Sequence, residues 1–160
     1  MDNKLPPASG DVCEALEKYA DMIYRIAFSY TKSSYDADDI LQEVFLRYIK
    51  SSGVWQSEEH RKAWLIRVAV NCSKSLLTSA WYRKTVPLED SLVTELQTNS
   101  EVYHAVMVLP SKYRIAIHLF YYEGLSVAEI AKAMQTKEST VKSYLHRARE
   151  KLKVSLKEEC

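Results

Sequence analysis

Apolar residues recur every three or four positions in separate stretches of the chain, a spacing that places them on one face of an α-helix. The first stretch covers about residues 11–31, the second about 35–50 and the third about 58–84. Glycine and proline lie at or outside the ends of the periodic stretches, where residues that interrupt helices are expected. No stretch shows the alternation of period two that marks a half-buried strand. The chain is therefore predicted to be all-α.

The three N-terminal helices each carry an apolar face, and three helices of this length can share a small core. The apolar faces consist of Leu16, Tyr19, Ile23, Ile26, Ala27 and Tyr30 in the first helix, Ile40, Leu41, Val44, Phe45, Tyr48 and Ile49 in the second, and Trp64, Leu65, Val68, Cys72 and Leu76 in the third. The opposite face of the second helix is acidic and polar, and that of the third is predicted to be basic and polar.

Residues 85–99 differ from the helical stretches on either side of them. They contain Pro87, several Ser and Thr residues and an acidic bias without a clear period, which is typical of a linker. The chain is thus predicted to form one helical domain at residues 1–84, a linker at 85–99 and a second helical domain at 100–160.

The second domain has the pattern of a helix-turn-helix. Pro110 marks the start of one helix and Gly124 its end. Ser126 and Glu129 have the spacing of a capping box, which starts a short helix that is predicted to end near Met134. A long final helix is predicted from about residue 137.

A helix-turn-helix requires a small residue where its helices cross and apolar residues that hold the second helix in place. Ala131 is the small residue, and the apolar positions are Ile130, Met134, Val141 and Leu145. Because the turn lacks glycine, Gln135 is predicted to adopt a left-handed conformation at a cost of about 1 kcal/mol relative to glycine. The outward positions of the last helix carry side chains that bind base edges or phosphates: Ser139, Thr140, Lys142, Ser143, His146 and Arg147.

Charge is distributed unevenly, although the net charge is only +1. Residues 61–84 include six basic and no acidic residues, and residues 137–153 include six basic and two acidic ones, whereas residues 85–101 include four acidic and no basic ones. Clustered basic residues indicate a surface for a polyanion such as nucleic acid, although ordinary solvated helix faces would give the same composition.

No motif for catalysis is present in the sequence. Glycine occurs only at positions 10, 53 and 124, which excludes a Gly-rich phosphate loop, and the nucleophile-elbow and zinc-protease motifs are absent. We therefore expect a protein that is not an enzyme and that uses no metal or other cofactor. Three widely spaced cysteines, with no signal peptide and no apolar run of about 18 residues, favour a reducing cytoplasm and no membrane insertion.

Two stretches of the sequence resemble a known family. LPSKYRIAIHLFYYEGLSVAEIAKAMQTKESTVKSYLHRAREKL, at residues 109–152, is similar to region 4 of bacterial RNA polymerase sigma factors. DADDILQEVFLRYIK, followed by AWLIRVAVNCSKSLL, resembles region 2 of the same proteins. The order of the two regions, the linker and the short length match the extracytoplasmic-function (ECF) group, which retains only regions 2 and 4.

The resemblance implies a transcription initiation factor that recognises the −35 promoter element and melts the −10 element. Its implied partners are promoter DNA, core RNA polymerase, through the clamp coiled coil and the flap, and an anti-sigma factor. The positions that match the family's functional residues are Asp39, Gln42, Glu43 and Arg47 for polymerase, Trp55, Arg67, Asn71, Lys74, Arg83 and Lys84 for the −10 element, and Thr140, Lys142, Ser143, His146, Arg147 and Arg149 for the −35 element.

The sequence departs from the family's pattern at a few positions. Gln135 and Ser139 stand where glycine is common, Tyr144 stands where arginine is common, and the loop that contains Trp55 lacks the commoner Phe-and-Gly pattern. Tyr144 removes a candidate phosphate contact, so we expect an altered −35 preference. Two other functions remain open on the sequence alone, namely a stand-alone helix-turn-helix regulator and a helical protein-interaction module.

Overall fold

The computed structural model of the chain describes residues 9–51, 55–79 and 101–158, and these residues contain helices but no strand. Three helices form the N-terminal group: α1 at Ser9–Thr31, α2 at Ser34–Lys50 and α3 at Glu58–Thr78. The prediction of an all-α chain is confirmed. None of the described helices combines the length and the apolar character that a membrane span requires.

The C-terminal group consists of α4 at Glu101–Val108, α5 at Ser111–Ile117, α6 at Val127–Met134 and α7 at Glu138–Glu158. Between α5 and α6 the chain forms a π-helical turn at His118–Tyr122. Gly124 then ends this segment with φ of 72°, a left-handed conformation that glycine adopts without steric cost.

Side-chain caps explain where two of the N-terminal helices begin. The hydroxyl of Ser33 accepts a hydrogen bond from the backbone N–H of Asp36 (3.2 Å) at the start of α2. The hydroxyl of Ser57 accepts one from the backbone N–H of His60 (3.1 Å) at the start of α3. Each bond satisfies a backbone donor that has no partner within its own helix.

The core of the N-terminal group is formed by the predicted apolar faces of α1 and α2, except that Leu41 is only half-buried and that Leu16 and Ile49 are more exposed. Ile23, Ile26 and Val44 are fully buried. Leu16 and Ile49, which the pattern also placed inside, are 38% and 39% exposed. Leu16 is the first residue of the apolar stripe of α1, and Ile49 is the last residue of the stripe of α2.

Helix α3 is buried on more of its circumference than its pattern predicted. Leu65, Val68 and Cys72 are buried as expected, whereas Trp64 and Leu76 are only half-buried. A second row with helical spacing is buried as well, and it consists of Ile66, Ala69, Val70 and Ser73. This second row is buried because α3 contacts α6 as well as α1 and α2.

Arg61 joins all three N-terminal helices and is buried, with 4% of its surface exposed. Its guanidinium pairs with Asp11 of α1 (3.0 Å) and Glu58 of α3 (2.5 Å), and more loosely with Glu14 (3.4 Å). The hydroxyl of Tyr48 in α2 donates to Asp11 (2.5 Å). Arg61 therefore belongs to the core and does not contribute to the basic surface that the composition of residues 61–84 suggested.

The carboxylate of Glu58 is the acceptor at the centre of this network. Hydrogen bonds from Lys18 (2.7 Å), Tyr19 and Arg61 lower the pKa of Glu58 to about 2. A carboxyl group with a lowered folded-state pKa stabilises the fold above its unfolded pKa of about 4.3, and this contribution is lost as the pH falls toward the folded value. Since the side chain is 47% exposed, solvent screening limits the contribution to about 1 kcal/mol.

Replacing Glu58 by glutamine is expected to weaken the dependence of the free energy of unfolding on pH at acidic pH. Between about pH 5 and pH 2, the free energy of unfolding should fall by about 1 kcal/mol less in Glu58→Gln than in the wild type. Urea unfolding at a series of pH values measures this difference. Glu59→Gln, at the neighbouring exposed position, is the control, and parallel curves for Glu58→Gln and the wild type would contradict the prediction.

The two helical groups are in contact through α1 with α5 and through α3 with α6. Arg114 of α5 is 4% exposed and donates hydrogen bonds to the backbone carbonyls of Ser29 and Tyr30 (3.1 Å to Tyr30). These carbonyls belong to the last turn of α1. The last carbonyls of a helix have no hydrogen-bond partner within it, and the negative end of the helix dipole attracts cations.

Two further cationic side chains cross from the N-terminal group to the C-terminal group. Lys74 of α3 donates to the carbonyl of Met134 (2.7 Å), the last residue of α6. Arg25 of α1 pairs with Glu123 (3.0 Å), whose side chain is only 6% exposed. Helix C-termini and one buried carboxylate are thus the acceptors that hold the groups together.

Candidate nucleic-acid interface

The two helices α6 and α7 form the helix-turn-helix that the sequence predicted. The hydroxyl of Ser126 accepts a hydrogen bond from the backbone N–H of Glu129 (3.1 Å), and the Glu129 carboxylate accepts one from the backbone N–H of Ser126 (3.0 Å). This is the predicted capping box. The residues that were predicted to hold the helices together are all buried: Ile130, Ala131, Met134, Val141 and Leu145.

The turn between these helices is closed without glycine. Gln135 has φ of 54° and ψ of 51°, which is the predicted left-handed conformation. The N–H of Thr136 then donates to the carbonyl of Ala131 (2.9 Å), which satisfies one of the last carbonyls of α6. The packed residues around the turn offset the steric cost of this conformation.

Gln135→Gly is expected to stabilise the protein by about 0.5 kcal/mol, because glycine removes the left-handed strain but gains backbone freedom in the unfolded chain. Thermal unfolding measures the change. Lys132→Gly, at an exposed position within α6, is the matched control and should destabilise by about 1 kcal/mol. If both substitutions destabilised the protein equally, the left-handed turn would carry no strain.

The outer face of α7 presents the side chains that were predicted to bind the −35 element. Lys142, Ser143, His146 and Arg147 are exposed, and Thr140 is half-buried. Arg149 is also exposed, and steps of three and four residues place it in one row with Lys142 and His146. The side chains in this part of the molecule are therefore brought together on one surface.

One tyrosine of α5 and one of the π turn that follows it hold two of these arginines. Arg147 donates to the hydroxyl of Tyr113 (3.5 Å), and Arg149 donates to the hydroxyl of Tyr121 (2.7 Å). Nothing in the sequence distinguishes Tyr121 from an ordinary aromatic residue. Only the pairing of positions that are 28 residues apart reveals it.

The residues of α3 that were predicted to bind the −10 element lie in one row next to α6. Arg67 is exposed, while Asn71 and Lys74 are half-buried. Burial lowers the pKa of Lys74, whose ammonium donates to the carbonyl of Met134 in the helix-turn-helix. This bond uses one of the three N–H donors of the ammonium and holds Lys74 against the helix-turn-helix. Arg83 and Lys84 lie outside the described residues.

Trp55, also predicted for the −10 element, is half-buried in an aromatic cluster. Its ring stacks on Tyr48 with 5.8 Å between centroids and lies 5.2 Å from the ring of Trp64. The indole N–H is buried and has no hydrogen-bond partner among the described residues.

The residues that were predicted to bind polymerase form an exposed strip on α2. Asp39, Gln42, Glu43 and Arg47 are all exposed, and Arg47 pairs with Glu43 one turn away (3.0 Å). This strip borders the buried face of α2, which includes Ile40 and Val44. The polar strip is thus available to a partner while the apolar face packs against α1 and α3.

Two protein-family models match the parts of the chain that carry these surfaces. Residues 15–83 match the model for sigma-70 region 2, and residues 100–152 match the model for sigma-70 region 4. The first match contains the strip on α2 and the row on α3, and the second contains the helix-turn-helix.

Comparison with individual proteins gives relatives that align along most of the chain. The chain is 34% identical to the ECF RNA polymerase sigma factor SigM of Bacillus subtilis, over 88% of this chain and 91% of the relative. It is 31% identical to the ECF RNA polymerase sigma factor SigM of Mycobacterium tuberculosis H37Rv, over 87% of this chain and 74% of the relative.

Solved structures share the fold at lower sequence identity. The sigma factor RpoE, solved with the anti-sigma factor NepR from Bartonella quintana, has a TM-score of 0.70 at 19% identity and covers 92% of this chain and 97% of its own. CnrH, solved with the cytosolic domain of CnrY, has a TM-score of 0.70 at 22% identity and covers 93% and 89%.

Proposed function

The chain belongs to the ECF group of RNA polymerase sigma factors, and we propose how its surfaces divide the work of such a factor. It binds core RNA polymerase and directs transcription initiation from specific promoters. The observation that carries this function is the presence of both sigma regions in one chain and in the family's order. A stand-alone regulator would need only the helix-turn-helix.

The polymerase surface in this proposal is the exposed strip on α2, formed by Asp39, Gln42, Glu43 and Arg47. Its side chains are polar, exposed and close together, which suits an interface that forms and dissociates. The partner is the clamp coiled coil of the polymerase, and the C-terminal domain contacts the flap. Charged residues at such a surface mainly set the association rate and the orientation of docking.

The −10 element is bound in this proposal by α3 and the residues next to it. Arg67, Asn71 and Lys74 form the row that contacts the separated strand, and Arg83 and Lys84 add phosphate contacts. Trp55 contributes an aromatic surface on which an unpaired base can stack. Lys74 adds a contact with DNA through an N–H of its ammonium that the bond to Met134 does not use.

The −35 element is read in the major groove by α7. Lys142, Ser143, His146 and Arg147 approach the base edges from the N-terminal half of the helix, as in other helix-turn-helix proteins. Thr140 and Arg149 contact the DNA backbone. Tyr144 is half-buried against Tyr113 (5.7 Å between ring centroids), which supports a packing role and a −35 preference without the arginine contact of relatives.

Two domains carry these surfaces. Region 2, at residues 1–84, binds the polymerase and the −10 element, and region 4, at residues 100–160, binds the −35 element; residues 85–99 form the linker. The family-model matches at 15–83 and 100–152 support these limits. The factor acts in the cytoplasm, where RNA polymerase is found. Its inhibitor in this proposal is an anti-sigma factor, since a sigma factor of the same fold has been solved in complex with such a partner.

Transcription with purified core RNA polymerase tests the proposed function. The chain is first overproduced in a bacterial host, and transcript starts are mapped to identify its promoters. Added to purified core polymerase, it should then support initiation from those promoters and not from unrelated ones. A chain that protects the promoter without polymerase and gives no transcript would instead be a stand-alone regulator, and the proposal would fail.

A further inference from the structure

A π-helical turn at His118–Tyr122 determines where the side chains at the end of α5 lie. The N–H of Glu123 donates to the carbonyl of His118 (3.0 Å), five residues earlier. One additional residue in the turn rotates the following side chains by about a quarter turn relative to a regular α-helix. Tyr121 and Tyr122 are consequently 59% and 66% exposed, and π turns of this kind are frequent at functional sites.

Tyr121 uses its exposed hydroxyl to hold Arg149 of α7. The Nε of Arg149 donates to this hydroxyl (2.7 Å). The guanidinium lies over the rings of Phe120 and Tyr121, at 5.9 Å and 5.6 Å from their centroids. An exposed arginine side chain normally keeps much rotamer freedom. Because Arg149 is already held at its Nε and by the two rings, it loses less conformational entropy when it binds a ligand.

The pair keeps donors for a ligand in this fixed position. Arginine has five N–H donors, and only the Nε–H is used here. The tyrosine hydroxyl accepts this bond and retains its own proton for donation. Both groups can therefore donate to the same anion, and phosphate oxygens are acceptors that arginine and tyrosine both bind in DNA complexes.

The pair also lies where the DNA backbone would pass. Lys142, His146 and Arg149 form one exposed row on α7, and a rise of 1.5 Å per residue places Arg149 about 10 Å from Lys142 along the helix. Arg149 is the last residue of this row, about 4.5 Å beyond His146 along the helix axis, so it follows the base-reading residues toward the backbone that borders the groove.

We propose that Tyr121 and Arg149 form a clamp for one phosphate of the DNA backbone beside the −35 element. This inference rests on the proposed function and adds a binding residue, Tyr121, that lies outside the helix-turn-helix. The π turn positions Tyr121, Tyr121 positions Arg149, and both donate to the phosphate. A mere packing contact between the π turn and α7 would stabilise the fold without affecting DNA affinity.

Tyr121→Phe removes the hydroxyl but keeps the ring beneath Arg149. In holoenzyme assembled from the full chain and core polymerase, on a promoter found by transcript mapping, this variant should bind about two- to tenfold more weakly than the wild type. Tyr122→Phe is the matched control, because it removes an equally exposed hydroxyl from the same turn and should leave affinity unchanged. Equal affinities for the two variants would overturn the clamp.

Arg149→Gln tests the phosphate contact through its dependence on salt. The slope of log affinity against log salt concentration should decrease by about one unit. Adding Tyr121→Phe to Arg149→Gln should cause little further loss of affinity, since the pair acts as a unit. An unchanged slope would mean that the pair only packs, and losses that add fully would mean that Tyr121 does not position Arg149; either result would overturn the clamp. If the wild-type holoenzyme does not occupy the promoter, the proposed function itself fails, and the clamp fails with it.

Discussion

Replacing Arg61 by alanine is expected to lower the free energy of unfolding by about 3 kcal/mol. Removing one partner of a buried ion pair typically costs about 3–5 kcal/mol because the remaining charges are left uncompensated. The carboxylates of Asp11 and Glu58 are 33% and 47% exposed, so water replaces part of the lost interaction and places the effect at the lower end of that range. The loss also removes the buried stem of the side chain, which fills space between three helices.

Urea unfolding at neutral pH, followed by tryptophan fluorescence, measures this change, since Trp55 and Trp64 lie in the same helical group as Arg61. Arg67→Ala is the matched control. It removes the same side chain six residues further along α3, at an exposed position, and should change stability by less than about 0.5 kcal/mol. Arg61→Met separates charge from volume, because it fills much of the space without restoring the ion pairs. An Arg61→Ala loss no larger than that of Arg67→Ala would contradict the structural role.

The features that sequence predicted well are those that depend on neighbouring residues. The capping box of Ser126 and Glu129, the short helix α6 and the left-handed Gln135 are all local, since each requires only contacts within one or two helical turns. The apolar residues of the helix-turn-helix were also predicted correctly, because the crossing of two short helices that are joined by a tight turn leaves few alternative arrangements.

The features that sequence missed depend on residues far apart in the chain. The composition assigned Arg61 to a basic surface, because one of its carboxylate partners, Asp11, is 50 residues earlier in the chain. The second buried row on α3, which includes Ile66 and Val70, has the same helical spacing as the main apolar face, so the sequence pattern does not separate the two rows. The contact between α3 and α6 explains why the second row is buried as well. Tyr121 has no sequence signal, since a π turn cannot be distinguished from a regular helix by periodicity over so few residues.

Lys142→Ala combined with Arg147→Ala is expected to reduce −35-dependent promoter affinity of the holoenzyme by about 100-fold. Each well-placed contact with a base contributes about 1–3 kcal/mol, and the two side chains lie on the exposed N-terminal half of α7. Stability should change by less than about 0.5 kcal/mol, because neither side chain is buried. Binding to core polymerase should be retained, since the proposed docking strip is on α2.

The matched control for this double variant is Lys151→Ala with Lys153→Ala, which removes the same charge from exposed positions further along the same helix. Only the long-range attraction between the helix and DNA is lost in the control, so its affinity should fall by less than about fivefold. A promoter titration at fixed salt, together with a pull-down of core polymerase, measures both properties. Equal losses in the two double variants would mean that α7 attracts DNA through charge alone, and loss of polymerase binding would mean that the roles of α2 and α7 are misassigned.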